Sequence, residues 1–236
     1  MPEPISLTRR VAQLCSCSYE EAERVIADGG VTIDGMVASD AQRTILDENI
    51  EIDAATRPEA IEPSTVLLHK PVGVTSMDAV ALVAPQTRWA EDPSATRMLP
   101  RHYKNLTLLM PLETDASGLL VLSQDGRVWR RLSEDADEIE QEFVVEVRGE
   151  AGPYALGTLA RGLSYNGHPL MPCKVSWQSE TRLRFAISNV QGGQLRHMCA
   201  AVGLELVSMR RLRIGRVPLT KLPIGEWRVL PAGEKF

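Results

Sequence analysis

Apolar positions recur along this chain at two different periods, and the change of period marks its parts. Leu7, Val11 and Leu14 fall on one helical stripe, with Arg9 and Arg10 at its start. Ser18 followed by Glu21 has the form of a capping box, in which hydroxyl and carboxylate each answer an exposed backbone donor. It opens a second predicted helix from Tyr19 to about Ala27, with Ala22 and Ile26 on one face. Gly29-Gly30 stops that helix. Val31 to Ile33 then reads as a strand, Asp34-Gly35 as a hairpin turn into Met36-Val37, and Asn49 to Ile52 alternates at strand period. Residues 1–54 are therefore expected to form one small unit of two helices, a hairpin and a further strand. Residues 55–64, polar and proline-bearing, read as a linker.

A second, larger unit follows over residues 65–236. Thr65 to His69 has too little polar alternation for a half-exposed strand, so it is expected in the interior. Leu119 to Leu122, Phe143 to Val147, Arg184 to Ile187 and Glu205 to Met209 are further predicted strands, and Leu195 to Val202 is a predicted helix ended by Gly203. The stretch from Val83 to Asn105 is polar, proline-interrupted and poorly periodic, which places it in a long loop. The pattern is α+β, built around a mixed sheet.

Composition narrows the class. The 236 residues are 44% hydrophobic and 24% charged, which excludes a disordered chain, a rod or a collagen-like repeat. No apolar run reaches the roughly 18 residues of a membrane span, and the first residues lack the form of a secretory signal. Four scattered cysteines and four scattered histidines point to a reducing cytoplasm, with no structural metal. The net charge of −5 argues mildly against a nucleic-acid partner, but its distribution is uneven. Ser133 to Gly149 is strongly acidic, whereas Thr181 to Lys221 is strongly basic, so a phosphate-binding face is compatible with an acidic total.

Particular segments then carry a resemblance. LTRRVAQLCSCSYEEAERVIADGGVTIDG, from Leu7 to Gly35, resembles the alpha-L RNA-binding domain of a small-subunit ribosomal protein and several RNA-modifying enzymes. That resemblance implies phosphate contacts from Arg9, Arg10 and Arg24, although Tyr19 stands where a basic residue is common. HKPVGVTS (His69 to Ser76), PLETDASGLLVLSQDG (Pro111 to Gly126), QEFVVEV (Gln141 to Val147) and QGGQLRHMCAAVGLELVSMRRLRIG (Gln191 to Gly215) are similar to the RsuA-like bacterial pseudouridine synthases of ribosomal RNA. IGEWRVL, from Ile224 to Leu230, resembles the closing segment of the same family. The implied fold is a catalytic domain on a mixed, largely antiparallel β-sheet, and the implied activity is isomerisation of a uridine.

The resemblance also implies a site. The family's aspartate, in R-L-D-x-x-T/S-x-G-L, falls on Glu113, with Asp115 as the alternative acid. Arg196 falls on the cation that pairs with that carboxylate, and Phe143 on the tyrosine that packs against the base. Lys70, in Lys70-Pro71-Val72-Gly73, is implied as a phosphate contact or a buttress of the active-site loop. The basic segment adds Arg210, Arg211, Arg213 and Arg216 as candidates for RNA contact. Pro111, Glu113, Ala116, Phe143 and Gly193 depart from the family's usual residues.

Three functions follow as expectations. One is a monomeric isomerase acting on structured RNA, ribosomal RNA foremost, with no DNA or membrane partner. It needs no cofactor, because the reaction transfers no external group and has no net redox change. Another is a catalytically impaired relative that binds structured RNA or assists ribosome assembly. The last is a protein-interaction domain that no longer binds RNA.

Overall fold

The computed structural model describes residues 4–46, 48–56, 63–94, 96, 98, 100–161, 163–231 and 233–236. The chain divides into two compact units, Met1–Glu62 and Pro63–Phe236. Of the expected linker, residues 57–62 lie outside the described residues.

In the first unit the Ser6 hydroxyl accepts from the Arg9 N–H at 3.3 Å and starts α1 (Leu7–Cys15). Its buried arc comprises Leu7, Thr8, Val11, Ala12 and Cys15. That arc is centred between Val11 and Cys15, so Leu14 falls at its rim and is 38% exposed, rather than in the expected stripe. Both halves of the capping box are present at the start of α2 (Tyr19–Ala27): the Ser18 N–H donates to Glu21 Oε2 at 3.0 Å, and the Glu21 N–H donates to Ser18 Oγ at 3.3 Å. Ala22, Val25 and Ile26 are its buried face. Strands β1 (Val31–Ile33), β2 (Met36–Val37) and β3 (Ile50–Ile52) then form an antiparallel sheet in the order β2-β1-β3.

The second unit contains β4 (Thr65–Lys70), β5 (Thr107–Leu109), β6 (Ala116–Ser123), α3 (Gly126–Ser133), β7 (Glu140–Gly149), α4 (Ala155–Ala160), β8 (Lys174–Ser179), β9 (Arg182–Ser188), α5 (Gln194–Ala201), β10 (Leu204–Ile214) and β11 (Trp227–Val229). The main sheet runs β8-β9-β7-β10-β6-β4-β11, with β5 also on β6. Only β6 and β10 among these strands pair in parallel, so the α+β class and the mixed, largely antiparallel sheet are as expected. Gly118 makes that parallel join possible. Its φ is +115°, and a Cβ there would lie 2.2 Å from the Arg211 carbonyl oxygen.

All of β4 is buried, as expected for Thr65 to His69, and Lys70 is buried with them. The described residues between Val83 and Asn105 are looped with short 3₁₀ turns and are pinned to β11, while residues 95, 97 and 99 of that expected loop lie outside the described residues. The Trp227 indole N–H donates to the Ala84 carbonyl at 2.8 Å, and the Arg88 guanidinium lies 5.7 Å from the Trp227 ring centre.

The sheet also explains the segregated charge. Acidic β7 runs between β9 and β10, so the acidic and basic segments become neighbours across hydrogen-bonded strands. Arg213 reaches Glu140 at 2.7 Å and Glu142 at 3.2 Å, Arg184 reaches Glu142 at 2.5 Å, and Lys174 reaches Glu140 at 3.2 Å. The Arg213 hydrogen bond holds the Glu140 carboxyl below its ordinary range despite burial. Burial pushes Glu142 up, but Arg184 and Arg213 outweigh it and hold that carboxyl low too. Arg213, expected as an RNA contact, is thus engaged by two carboxylates within the sheet rather than standing free for a phosphate. Arg211 departs further from that expectation. It is 2% exposed, and its guanidinium donates to the Leu119 and Met110 carbonyls and to Gln141 Oε1. Among the described residues no helix is long and apolar enough to cross a membrane.

Candidate active site

The loop between β5 and β6 carries both candidate carboxylates, and backbone bonds hold it tightly. The Leu112 N–H donates to Ser76 Oγ at 2.8 Å, while the Ser76 hydroxyl donates to the Leu112 carbonyl at 2.8 Å. The Gly73 N–H donates to the Thr114 carbonyl at 2.8 Å. Lys70 completes the brace. Its side chain ends among the carbonyls of Pro71, Thr114 and Ala116 at 2.9, 3.3 and 2.7 Å. Lys70 is 0% exposed, so it buttresses the loop and is out of reach of a phosphate. Burial lowers its pKa, and the charge of Asp115 opposes that shift.

Glu113 is half-buried, and its Oε1 accepts from the Gly193 N–H at 2.8 Å. No partner for its other oxygen is found among the described residues. Gly193, at φ +79°, precedes α5 directly, so Glu113 is anchored at the start of the helix that bears Arg196. The expected Arg196–Glu113 pair is not formed. Arg196 donates instead to Asp115 Oδ2, and its other terminal nitrogen donates to the Leu206 carbonyl at 3.2 Å. Asp115 and Arg196 are 59% and 45% exposed, so this ion pair lies open at the mouth of the site. The shift of the pair by two residues follows from the strands: Asp115 adjoins Ala116, which pairs with Met209 of β10, and Arg196 is held to Leu206 on that same strand.

Phe143 also departs from its expected role. It is 2% exposed, sits in a core with Leu112, Ala116, Val145 and Leu195, and turns its ring toward the Arg211 guanidinium at 6.0 Å. A ring so enclosed has no free face for a base.

Another aromatic group reaches this region without any signal in the sequence. Tyr165 lies in the short hairpin Ser164–Tyr165 with His168–Pro169, and its hydroxyl donates to the Gly192 carbonyl at 2.7 Å. Its ring is tilted 47° against His197 at 5.1 Å, and His197 Nε2 lies 2.9 Å from the Ser164 carbonyl.

Cations suited to a polyanion remain in both units. Arg9, Arg10 and Arg24 are exposed on the first, and Arg210 and Arg216 on the second. No ion pair holds any of the five among the described residues. No group of three or more His, Cys, Asp or Glu side chains is placed to hold a metal among the described residues.

No protein-family model matches the chain. Its sequence is 27% identical over 234 residues to the dual-specificity RNA pseudouridine synthase RluF of Salmonella typhi, covering 97% of this chain and 76% of that protein. It is 26% identical over 239 residues to ribosomal large subunit pseudouridine synthase B of Bacillus subtilis, covering 97% and 93%. A crystal structure of a pseudouridylate synthase superposes with a TM-score of 0.60 at 21% identity, over 96% of each chain, which is a likeness of fold.

Proposed function

We propose that this chain, a relative of the RsuA-like RNA pseudouridine synthases along nearly its whole length, isomerises a uridine in structured RNA, with Glu113 as its working carboxylate. Ribosomal RNA is the substrate class, as in the names of its relatives. In this reaction the bond from C1′ to N1 of uracil breaks and a bond from C1′ to C5 forms. C5 loses a proton, N1 gains one, and the nucleotide keeps its composition.

A carboxylate beside the sugar serves this chemistry by attacking C1′ or by stabilising charge that develops there. The observation that carries the reading is the Glu113–Gly193 hydrogen bond, which brings the carboxylate loop against α5 across 80 residues of chain. It fixes one oxygen of Glu113 and leaves the other available. Bracing by Lys70, Gly73 and Ser76 matters because a misplacement of about 1 Å costs roughly 100-fold in such a reaction. Asp115, paired with Arg196 on the same loop, is the alternative acid. Arg9, Arg10, Arg24, Arg210 and Arg216 supply exposed charge for the RNA backbone.

A second reading, an RNA-binding relative without turnover, is favoured by the pairing of Arg196 with Asp115 in place of Glu113. Tritium release from C5 separates the two. Ribosomal RNA labelled at uridine C5, taken from cells lacking the gene, is incubated with the parent, Glu113→Gln and Asp115→Asn. Glutamine still accepts from Gly193, so Glu113→Gln is expected to bind RNA as the parent does and to release no tritium. Full release by Glu113→Gln with none by Asp115→Asn would transfer the role to Asp115. Bound RNA with no release by any of the three would establish the second reading.

A further inference from the structure

We propose that Tyr165 is the aromatic side chain against which the target nucleobase packs in this protein. The inference rests on the RNA-modifying reading of the site, though it requires only that the site hold a base and not that it turn one over. A base drawn from a helix loses its stacking partners, and proteins that take bases from the stack replace them with aromatic or apolar faces. Phe143 cannot serve, since its ring is enclosed in the core. Tyr165 is half-buried, so its ring is both held and open.

The geometry ties Tyr165 to the candidate carboxylate through a single peptide unit. Its hydroxyl donates to the carbonyl of Gly192, and the N–H of that same Gly192–Gly193 peptide donates to Glu113. The peptide is planar and trans, so the carbonyl that meets the Tyr165 hydroxyl and the N–H that meets Glu113 project from opposite edges of one rigid group, and a nucleotide whose sugar meets Glu113 reaches the ring by laying its base past that peptide. Each bond also polarises the peptide in favour of the other. His197 supports the ring from one side and is itself held by the Ser164 carbonyl.

Gly193 belongs to the same arrangement. A Cβ at that position would lie 2.6 Å from the Tyr165 hydroxyl oxygen, and φ is +79° there. The bare backbone at 193 and the tyrosine at 165 therefore exclude alternatives together: any side chain at 193 displaces the hydroxyl.

Photocrosslinking reads the contact directly. Ribosomal RNA transcripts substituted with 5-iodouridine are irradiated with the full-length protein, and the crosslinked peptides are mapped for the parent, Tyr165→Phe and Tyr165→Leu. The expected result is a crosslink at residue 165 in the parent, kept in Tyr165→Phe and lost in Tyr165→Leu. Loss of a stacked base corresponds to about 5- to 150-fold in affinity at that nucleotide. Should Tyr165→Leu fail to fold, the site of attachment in the parent and in Tyr165→Phe decides alone. A map that lacks residue 165, whether blank or filled by other residues, overturns the proposal. Tritium release by the same proteins keeps the two readings apart. Release without a crosslink at 165 removes Tyr165 and leaves the isomerase, while a crosslink at 165 without release does the reverse.

Discussion

Replacing Arg210 and Arg211 one at a time should separate support of the sheet from contact with RNA, because these neighbours on β10 lie on opposite sides of its surface. The Arg211 guanidinium donates to the Leu119 carbonyl at 2.8 Å, to Gln141 Oε1 at 2.9 Å and to the Met110 carbonyl at 2.6 Å. Burial pushes its pKa down to about 9, so it is charged at neutral pH. Hydrogen bonds from a charged group contribute about 1.5–3 kcal/mol each, or about 5–9 kcal/mol for three. Desolvation of the cation offsets several kcal/mol of that. Arg211→Met keeps much of the volume but strands three buried acceptors, at about 1–3 kcal/mol apiece. The net loss expected is about 3–5 kcal/mol, the range for breaking a buried charge interaction from one side. Arg210→Ala, on an exposed side chain, should stay within about 0.5 kcal/mol of the parent. It should instead lower the slope of log affinity against log salt by about 0.7–0.9, the share of one phosphate. All four tryptophans lie in the second unit, so urea unfolding followed by their fluorescence reports on the right sheet. Filter binding across a salt series gives the slope. An Arg211→Met protein with an unchanged urea midpoint and a reduced salt slope would refute the assignment of Arg211 to the interior.

Two further outcomes are expected. The Glu140 carboxyl lies below its ordinary value of 4.5 through the Arg213 hydrogen bond, and Glu142 lies low because Arg184 and Arg213 outweigh burial. Their stabilisation is therefore complete above pH about 4.5 and is lost as pH falls through the lower folded values, so Tm should drop on acidification. Arg213→Leu should flatten that drop, and parallel Tm curves for variant and parent would contradict it. In the first unit, replacing Arg9 and Arg10 with alanine should reduce the salt slope of RNA binding by about 1.4–1.8 and leave the helix in place. Identical affinities for variant and parent at every salt concentration would remove these arginines from the RNA surface.

The elements that could be read from the sequence are those whose signals are local. The Ser18–Glu21 box, the Asp34-Gly35 turn and the Val66–Leu68 centre of β4 each need only a few consecutive residues. β8 has almost no buried positions because it is a sheet edge, so it shows no alternation to read. Lys70 and Arg211 look like surface cations in a linear text. They are interior because β6 and the loop before it bring carbonyls to them from up to 101 residues away. Motif resemblance located Glu113, Asp115 and Arg196 together, but which carboxylate the arginine meets depends on how the loop faces β10. Tyr165 had no signal at all, since its partner Gly192 lies 27 residues further on and nothing in the hairpin points to it.

The parallel join of β6 and β10 has a consequence for the order of events in folding. Contacts across it, such as Arg211 with Leu119 at a separation of 92 residues, close long loops whose entropy must be overcome before the contacts form. A growing polypeptide that has completed β6 already carries Glu113 and Asp115, yet it has neither the Gly193 amide nor Arg196 to hold them. The carboxylates stay unarmed until the segment beyond β9 has folded back. Competence therefore arrives late and all at once. During refolding, recovery of the site should lag behind recovery of strand content, and a fragment ending before α5, which also lacks the β10 strand between β7 and β6, should release no tritium from RNA even where Arg9 and Arg10 still hold it.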